Sequence, residues 1–404
     1  MNAICLVIDR WHLGHIGAYG NTWIETPSLD RLACESFLFD QAMTVGLEME
    51  DFYAAAWQGR HPLLTGDQRP ETTDFVQRLA DGPVHSTLLT DTPELAGHRL
   101  VASFDEIVEF EPPERIEPAD DVGQTHLARC FAQLIDYLGS TEKRPFMTWV
   151  HLSSMGTCWD APHAFRAGYA EPGDPEPARG AKVPHFVLPK DYDPDLLLAI
   201  MQAYAGQATL LDICLGALVE AIDECAGETM LAVCAARGFP LGEHGRVGVV
   251  DETLHAESVH IPMMVRFPGG LGAARRSQAL VTPADLRATL LDLWSLDELP
   301  GITCGKSLMP IVRGEAEAIR DRLLLSAPDG QSAVRTPAWY MRLADEPQLY
   351  VKPDDRWEVN DVADRCAEVV ERLDETAEQY RQWLIAGQGE PLEPLVEILR
   401  DGVE

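Results

Sequence analysis

The first apolar segment of the chain leads directly into side chains that could do chemistry. Residues 3–9, AICLVID, end on Asp9, and Arg10, His12 and His15 follow within a short glycine-containing turn. A carboxylate beside imidazoles could bind a divalent cation or transfer a proton. Two histidines three residues apart are a weak zinc pattern, however. We expect His15 and His151 to be structural histidines that are hydrogen-bonded beside the first strand. The sequence thus predicts a polar site where this segment ends.

A second polar cluster lies at the start of a helix-like segment, VGLEMEDFYAAAWQGRHP, at residues 45–62. Glu48, Glu50 and Asp51 crowd the end at which such a helix begins. The amide groups at a helix N-terminus normally attract anions. We expect the three carboxylates to repel a sulfate or phosphate group instead.

The elements that must position these residues alternate along the chain. Helical patterns separate the apolar segments; Thr26 and Pro27 open one of them, and residues 197–222 carry a long apolar stripe. Strands alternating with helices predict an α/β fold whose mainly parallel sheet is covered on both faces. The strand-like segments are AICLVID (3–9), STLLT (86–90), PFMTWVHLS (145–153) and TMLAVCAA (229–236).

The pattern changes past about residue 330. Two strand-like segments, SAVRTPAWYMRL and PQLYVK, precede a helix that places Leu373, Ala377 and Tyr380 on one face. We therefore predict a main α/β domain at residues 1–325 and a small C-terminal α+β subdomain at residues 326–404.

Composition limits the classes of partner. The 404-residue chain has a net charge of −33, so nucleic acid and anionic membranes are poor partners, because both need a positive surface. No apolar segment near the length of a membrane span and no secretory signal are apparent, which predicts a soluble, cytoplasmic protein. The nine cysteines are scattered, and we interpret them as reduced core residues and not as zinc ligands. The oligomeric state is left open.

Seven segments along nearly the whole chain resemble the sulfatase family of the alkaline phosphatase superfamily. The resemblance implies an alkaline phosphatase-like fold with a large mixed, mainly parallel sheet between helices. It also implies a formylglycine nucleophile, made from cysteine or serine, and calcium or another divalent cation that polarises a sulfate ester. The similar segments are VIDRWHLGHIGAYGNTWIETPSLDRLACESFLFDQA, WQGRHP, LGEHG, ESVHIPMMVRFPGG, TPADLRATLLDL, GKSLMPIV and the C-terminal AVRTPAWYMRL to EVNDVAD.

The nucleophile position departs from the family pattern. The family has Cys-x-Pro-x-Arg ten residues before the glycine that is Gly59 here, and these positions are occupied by Met49, Asp51 and Tyr53. A thioether cannot become an aldehyde hydrate and does not replace the nucleophile. The modification motif is lost together with its target.

The metal ligands and supporting groups depart as well. Asp9 matches the first family aspartate, and it is the only ligand of the set that survives. A single carboxylate cannot hold a hard cation that needs about six oxygen ligands, so we expect no metal and no other cofactor. Glu243 and His244 of LGEHG belong to a loop that supports the site in the family. The resemblance implies a second aspartate where this chain has Arg10, an aspartate and a histidine or asparagine ligand at Ala236 and Arg237, a lysine at Val249 and a histidine at Gly156. A family lysine and histidine align less securely with Asp91 and Pro93.

These losses predict a pseudoenzyme with a binding or regulatory function. We expect Arg237 to form a salt bridge with Asp9, which would otherwise be a buried uncompensated charge, and to share Glu50 or Asp51. A small polar ligand or a sugar is a candidate partner. The predicted pocket is lined by Asp9, Arg10, His12, His15, Asp51, Tyr53, His151, Trp159 and Arg237.

Two alternatives remain open at this point. A rebuilt hydrolase could use Thr44 as its nucleophile and Glu48, Glu50, Asp51 and Asp9 as a new cation site. A structural partner of an active sulfatase is the third hypothesis. Bound metal would distinguish the hydrolase from the pseudoenzyme.

Overall fold

The computed structural model describes residues 1–64, 74–113, 117–140, 145–225, 228–248, 253–296, 304–344, 346–387 and 391–402. The chain forms two compact units. The first consists of Met1–Leu38, Leu79–Val249 and Pro262–Arg276, and the second of Phe39–Arg78, Val250–Ile261 and Ser277–Glu404.

A mixed sheet is the centre of the first unit. Its strands follow the order β2-β9-β7-β1-β5-β3-β4, in which β7, β1, β5, β3 and β4 are parallel, and β9 is antiparallel to β7 and to the first residues of β2. Strand β1 is apolar and buried almost throughout, as expected for a central strand covered on both faces. The bounds are Asn2–Ile8 (β1), Phe37–Ala42 (β2), His85–Thr90 (β3), Glu106–Glu109 (β4), Phe146–Leu152 (β5), Thr229–Ala235 (β7) and Met263–Arg266 (β9).

Helices of the first unit pack around one long helix, α8, which contacts α1, α5 and α7. A two-stranded sheet of β6 and β8 lies in the same unit. The bounds are Pro27–Glu35 (α1), Pro93–Ala96 (α4), His126–Ser140 (α5), Ser154–Thr157 (α6), His163–Ala167 (α7), Pro194–Cys225 (α8), Phe186–Val187 (β6) and Arg246–Val247 (β8).

Helix α8 corrects one expectation about membranes. Its residues Pro194–Glu224 are long and apolar enough to cross a bilayer by length and composition. The most apolar window of this helix is 67% buried inside the structure, and core helices of soluble proteins pass the same test. The helix is therefore weak evidence for a membrane span.

The second unit contains an antiparallel sheet of the order β11-β12-β13-β14, against which helix α12 packs. Strand β10 is the neighbour of β2 in the large sheet. The chain crosses the boundary between the units within strands β2 and β10 and within helix α3. The bounds are Arg275–Val281 (β10), Leu323–Ser326 (β11), Ser332–Arg335 (β12), Trp339–Leu343 (β13), Gln348–Val351 (β14), Met49–Gln58 (α2), Phe75–Ala80 (α3), Ala256–Val259 (α9), Ala284–Leu293 (α10), Met309–Val312 (α11), Ala367–Ile385 (α12) and Glu397–Asp401 (α13).

The predicted fold class is confirmed: a large mixed, mainly parallel sheet lies between helices, and an antiparallel sheet with a helix follows toward the C-terminus. The C-terminal sheet begins with β11, slightly before the strands expected from the sequence. The division of the chain after residue 325 stays a prediction.

Candidate functional site

Three neighbouring strands of the first unit bring Asp9 and Arg237 together. The backbone N–H of Asp9 donates to Leu152 O, at the end of β5, over 2.8 Å. The N–H of Ala236, just after β7, donates to Ile8 O, and the N–H of Trp11 donates to Arg237 O. Asp9 and Arg237 therefore follow adjacent parallel strands at the carboxyl edge of the sheet, where α/β folds place ligands.

The two side chains form a buried, bidentate ion pair. Arg237 Nε donates to Asp9 Oδ1 over 3.0 Å, and Arg237 Nη2 donates to Asp9 Oδ2 over 2.6 Å. Burial raises the pKa of Asp9, but the charge and hydrogen bonds of Arg237 outweigh it and lower the pKa to about 2. The expected salt bridge is confirmed.

The other carboxylates that we expected Arg237 to share have their own partners in the second unit. Glu50 Oε1 lies 3.6 Å from Arg60 Nη2. Asp51 Oδ2 accepts the backbone N–H of Glu48. These contacts stabilise the start of α2.

A second guanidinium lies beside Asp9, and its position explains the glycine at residue 156. Arg10 Nε is 3.9 Å from Asp9 Oδ2, and Arg10 has a positive φ of 58°. A Cβ atom at Gly156 would lie 2.3 Å from Arg10 Cδ and 3.0 Å from Arg10 Cγ. Arg10 thus takes the space that the family histidine side chain at position 156 would need.

This donor set does not fit a divalent cation. Both oxygens of Asp9 accept hydrogen bonds from a guanidinium, and Arg10 adds a second positive charge to the same carboxylate. Ala236, at the second ligand position, supplies no side-chain donor. The protein replaces the charge of the family cation with charges of its own.

His12 and His15 belong to a separate buried network in the same unit. His12 Nε2 lies 3.0 Å from Glu243 Oε1, and its Nδ1 accepts the N–H of Gly14, so Nε2 is the nitrogen that donates. The N–H of His12 donates to the hydroxyl of Tyr204. His15 packs its ring edge-on against His12 and Tyr204, and burial lowers its pKa to about 3. His12 is therefore hydrogen-bonded through its ring, whereas His15 is held by ring contacts and its buried Nδ1 has no hydrogen-bond partner within the described residues, contrary to the expectation for His15.

His151 and Trp159 are both buried. His151 is the penultimate residue of β5; burial lowers its pKa, and the charges of Asp9 and Asp91 partly offset this effect. Trp159 donates its indole N–H to Met155 O and packs among aromatic rings. The expectation that Trp159 lines a pocket is corrected, since only 1% of it is exposed.

Asp91 pairs with a histidine that the sequence analysis did not single out. Asp91 Oδ2 is 2.9 Å from His126 Nε2, and Asp91 Oδ1 accepts the N–H of Ser153. Pro93, two residues later, begins the short helix α4. The available signal was the position of His126 on the apolar face of an amphipathic helix, one turn before Cys130.

Helix α2 of the second unit has acidic capping groups at the family nucleophile position. Glu48 is the N-cap residue and Met49 is the first helical residue. The side chains of Glu48 and Asp51 accept each other's backbone N–H, which is a capping box. Burial, together with the charges of Glu48 and Glu50, raises the pKa of Asp51 to about 6, although its backbone hydrogen bond with Glu48 and the charge of Arg60 act in the opposite direction.

A cavity of about 540 Å³ lies beside this helix start, within the second unit. We call it the α2 cavity; its lining includes Glu48, Glu50, Asp51, Arg60 and Ser326. Tyr53, which we expected in the pocket, is instead buried between the rings of Phe52 and Trp57. The cavity is polar and carries more negative than positive charge.

Thr44, the alternative nucleophile, is fully buried. Its hydroxyl donates to Gly46 O over 3.2 Å, and its backbone N–H donates to Val259 O. The hydroxyl therefore stabilises the turn before α2. Val249, the expected lysine position, lies outside the described residues.

Comparisons with known proteins give this arrangement a context. The family profile described as sulfatase matches residues 1–296, and the profile described as N-sulphoglucosamine sulphohydrolase, C-terminal, matches residues 242–382. An ulvan-active sulfatase of Formosa agariphila is 21% identical over 389 residues, which cover 86% of this chain and 74% of the relative. An N-acetylglucosamine-6-O-sulfatase of Bacteroides thetaiotaomicron is 26% identical over 123 residues, 30% of this chain and 22% of the relative.

Solved structures share the fold. The phosphonate monoester hydrolase of Agrobacterium radiobacter superposes with a TM-score of 0.76 at 17% identity, over 95% of this chain and 96% of that one. A protein solved in complex with its substrate D-glucosamine-2-N,6-O-disulfate gives a TM-score of 0.74 at 16% identity, over 96% and 99% of the two chains. At these identities the likeness concerns the fold alone.

Proposed function

Because the chain belongs to the sulfatase family, we propose that it is a member that has lost ester hydrolysis and acts as a binding or regulatory pseudoenzyme. The observation that carries this proposal is the bidentate ion pair between Arg237 and Asp9. The one carboxylate retained from the family ligand set is fully engaged by a protein cation.

Electrostatics explains why this ion pair opposes the family cation. A divalent ion at Asp9 would lie close to two guanidinium groups, those of Arg237 and Arg10, and like charges at such short range repel strongly in a buried site. Displacing Arg237 would also leave a buried arginine without its carboxylate. The geometry thus stabilises a site without a cation.

The residues at the nucleophile position support the loss of hydrolysis independently of the Arg237–Asp9 ion pair. Met49 occupies the first turn of α2 and offers only a thioether, which neither attacks sulfur nor forms an aldehyde hydrate. The hydroxyl of Thr44 is buried and donates to a neighbouring carbonyl. Both observations weigh against hydrolysis, including hydrolysis by a rebuilt site.

The chemistry of the α2 cavity favours a neutral or amine-bearing polar ligand over an anion. Glu48, Glu50 and Asp51 carry three carboxylates against the one guanidinium of Arg60. Relatives named above act on sulfated sugars, and a desulfated sugar or amino sugar would match this reversed charge. A reducing compartment, such as the cytoplasm, fits the free thiols of the described cysteines.

Turnover of a 4-nitrophenyl sulfate and a 4-nitrophenyl phosphate tests this proposal, with calcium, manganese or no added metal. We expect no turnover above a buffer blank under any of these conditions. Metal content of the purified protein should also be the same in the wild type and in Asp9→Asn, because Asp9 holds no cation.

The rebuilt hydrolase makes the opposite predictions. Metal-dependent turnover that Asp9→Asn or Asp51→Asn abolishes, together with a loss of bound metal, would overturn the pseudoenzyme proposal. Glu368→Gln is a matched control, since this carboxylate lies on the exposed side of α12 and pairs with Arg372. An active sulfatase assayed in parallel verifies the substrates.

A further inference from the structure

A buried cluster of three potential metal ligands lies in the first unit, apart from the family ligand set. His126 Nε2 is 2.9 Å from Asp91 Oδ2 and 3.4 Å from Cys130 Sγ. The ligand atoms of all three residues lie within 4.8 Å of one another. Each residue is at most 3% exposed. We call Asp91, His126 and Cys130 the Asp91 cluster.

Secondary structure sets the positions of these side chains. His126 and Cys130 are separated by one turn of α5, so their side chains lie on the same face of the helix. Asp91 directly follows β3, and its Oδ1 accepts hydrogen bonds from the Ser153 N–H and the Thr92 hydroxyl. These bonds direct Oδ2 toward the imidazole.

A buried carboxylate outside the Asp91 cluster lies at the start of α5. Asp160 Oδ2 accepts the backbone N–H of His126 over 2.7 Å. Within the described part of the chain, Asp160 Oδ1 has no hydrogen-bond partner although the residue is fully buried. The charge of Asp160 acts on Cys130 and on the guanidinium of Arg166.

Neither Arg129 nor Arg166 has a described hydrogen bond to a side chain of the Asp91 cluster. Arg166 donates to backbone carbonyl groups, and Arg129 acts on Cys130 only through its charge among the described interactions. Burial raises the pKa of Cys130, and the charges of Asp91 and Asp160 raise it further. Among the described charges that act on the Cys130 thiol, the carboxylates of Asp91 and Asp160 therefore outnumber the one guanidinium of Arg129.

We propose that Asp91, His126 and Cys130 bind a Zn²⁺ ion as three protein ligands, with a water molecule in the fourth position. A thiolate, an imidazole and a carboxylate are ligands that zinc prefers in tetrahedral sites. With bonds of about 2.0–2.3 Å, tetrahedral ligand atoms lie roughly 3.3–3.8 Å apart. The observed separations of 2.9 and 3.4 Å approach this spacing, so small rotations would open the site.

Proton balance follows from the ligand types. The Cys130 thiol releases its proton to solvent, and His126 coordinates through Nε2 while its proton resides on Nδ1. The ion replaces the hydrogen bond between His126 and Asp91 with two metal bonds. This inference departs from our interpretation of the cysteines as ordinary core residues, and it does not depend on the proposed function.

Zinc analysis of the full-length protein tests the proposal. Because the cluster is closed to solvent, the protein is expressed with zinc, and a second sample is refolded from urea with zinc or with a chelator. We expect about one zinc ion per chain, a higher melting temperature after refolding with zinc, and at least a tenfold lower zinc content in Cys130→Ser and His126→Gln. Cys34→Ser, at an exposed cysteine, is the matched control.

Cobalt substitution of the wild-type protein tests the site even when the variants fold poorly. Wild-type protein refolded with Co²⁺ should show thiolate-to-cobalt charge-transfer absorption in the near ultraviolet, and the Cys34→Ser protein should keep it. Wild-type protein that contains no zinc after refolding with zinc, and no such absorption with cobalt, would overturn the proposal. Zinc content that is unchanged in both Cys130→Ser and His126→Gln would do the same.

Discussion

Arg237 donates two hydrogen bonds to Asp9, over 3.0 and 2.6 Å, and the two backbones are linked through the neighbouring Trp11 N–H. The pair is therefore held by the ends of adjacent strands as well as by its charges. A carboxylate inherited from a metal site needs a compensating cation when it is buried. Arg237 meets this need from the end of the adjacent strand β7, so the charge of Asp9 is compensated without an ion at that position.

Replacement of Arg237 by methionine should destabilise the protein strongly. The Arg237→Met variant keeps much of the side-chain volume but leaves Asp9 with only the more distant Arg10 at 3.9 Å. Removal of one partner from a buried ion pair costs about 3–5 kcal/mol. Urea unfolding followed by circular dichroism should show a correspondingly lower midpoint.

The double variant Asp9→Asn/Arg237→Met distinguishes the stability lost through an uncompensated charge from the stability lost through packing. It should recover part of the lost stability, because no buried charge is left uncompensated. Arg31→Met removes an exposed ion-pair partner on α1 and should leave the midpoint nearly unchanged. Equal midpoints for Arg237→Met and Arg31→Met would contradict the structural role of the buried pair.

A side chain at position 156 should be incompatible with the observed position of Arg10. The Gly156→Ala variant places its Cβ within 2.3–3.1 Å of three side-chain carbons of Arg10, and these include the Arg10 Cβ. We expect a loss of about 1–3 kcal/mol from overpacking, measured as a change in the free energy of unfolding.

Two variants verify that the conflict involves Arg10. Adding Arg10→Ala to Gly156→Ala should remove most of the destabilisation, whereas Gly180→Ala should be tolerated because its new Cβ meets no atom within 4 Å. A Gly156→Ala effect that persists in the double variant would assign the glycine another role. Recovery of stability in the double variant would also show that the family histidine at position 156 and Arg10 cannot occupy the same space.

Much of this site followed from residue types at aligned positions. Asp9 without its companion ligands required a counter-charge, and the family resemblance placed Arg237 at one of the ligand positions, so the ion pair was predicted from that resemblance together with charge. The central strands were equally clear, because β1, β5 and β7 are short apolar segments between helices.

Other contacts could not be predicted because they join residues far apart in the chain. Tyr204 appeared only as part of an apolar helical stripe, yet its hydroxyl accepts the N–H of His12, 192 positions away. Asp160 likewise binds the N–H of His126 from another segment. The capping box of Glu48 and Asp51 was within reach of the sequence, but we interpreted these carboxylates only as charges that repel anions.

Stability should fall in mild acid partly because of His15. Burial lowers the pKa of His15 from 6.5 to about 3, so the unfolded chain binds its proton more readily than the folded protein. Stability from this group is therefore complete above about pH 6.5 and declines as the pH falls toward 3, by up to about 1.4 kcal/mol per pH unit. Unfolding free energies measured between pH 7 and 4 test this slope.

The His15→Gln variant should show a shallower slope over the same range. His244→Asn is the matched control, because it removes an exposed imidazole and asparagine tolerates the left-handed backbone at φ 49°. An identical slope in the wild type and in His15→Gln would show that His15 does not titrate in this way. The other histidines whose pKa values are lowered by burial, namely His61, His151 and His260, keep their contributions in all three proteins.

Cysteine at position 49 should not restore a sulfatase nucleophile. The Met49→Cys variant supplies the target residue, but the family proline and arginine positions still hold Asp51 and Tyr53. We expect the cysteine to stay a thiol when the protein is produced together with a formylglycine-generating enzyme. Mass spectrometry of the peptide that contains residue 49, after thiol alkylation, distinguishes the thiol from the aldehyde.

Restoring the whole motif should fail for a structural reason. Tyr53 is 1% exposed and packs against Phe52 and Trp57, so Tyr53→Arg would bury an unpaired charge in the core of α2. Asp51→Pro would also remove the capping box, at a cost of roughly 0.5–2 kcal/mol. The triple variant should therefore be less stable than Met49→Cys in urea unfolding. If it instead folds normally, forms the aldehyde and hydrolyses an aryl sulfate, then the loss of the motif at positions 49, 51 and 53 would explain inactivity, and the Arg237–Asp9 pair would not prevent catalysis.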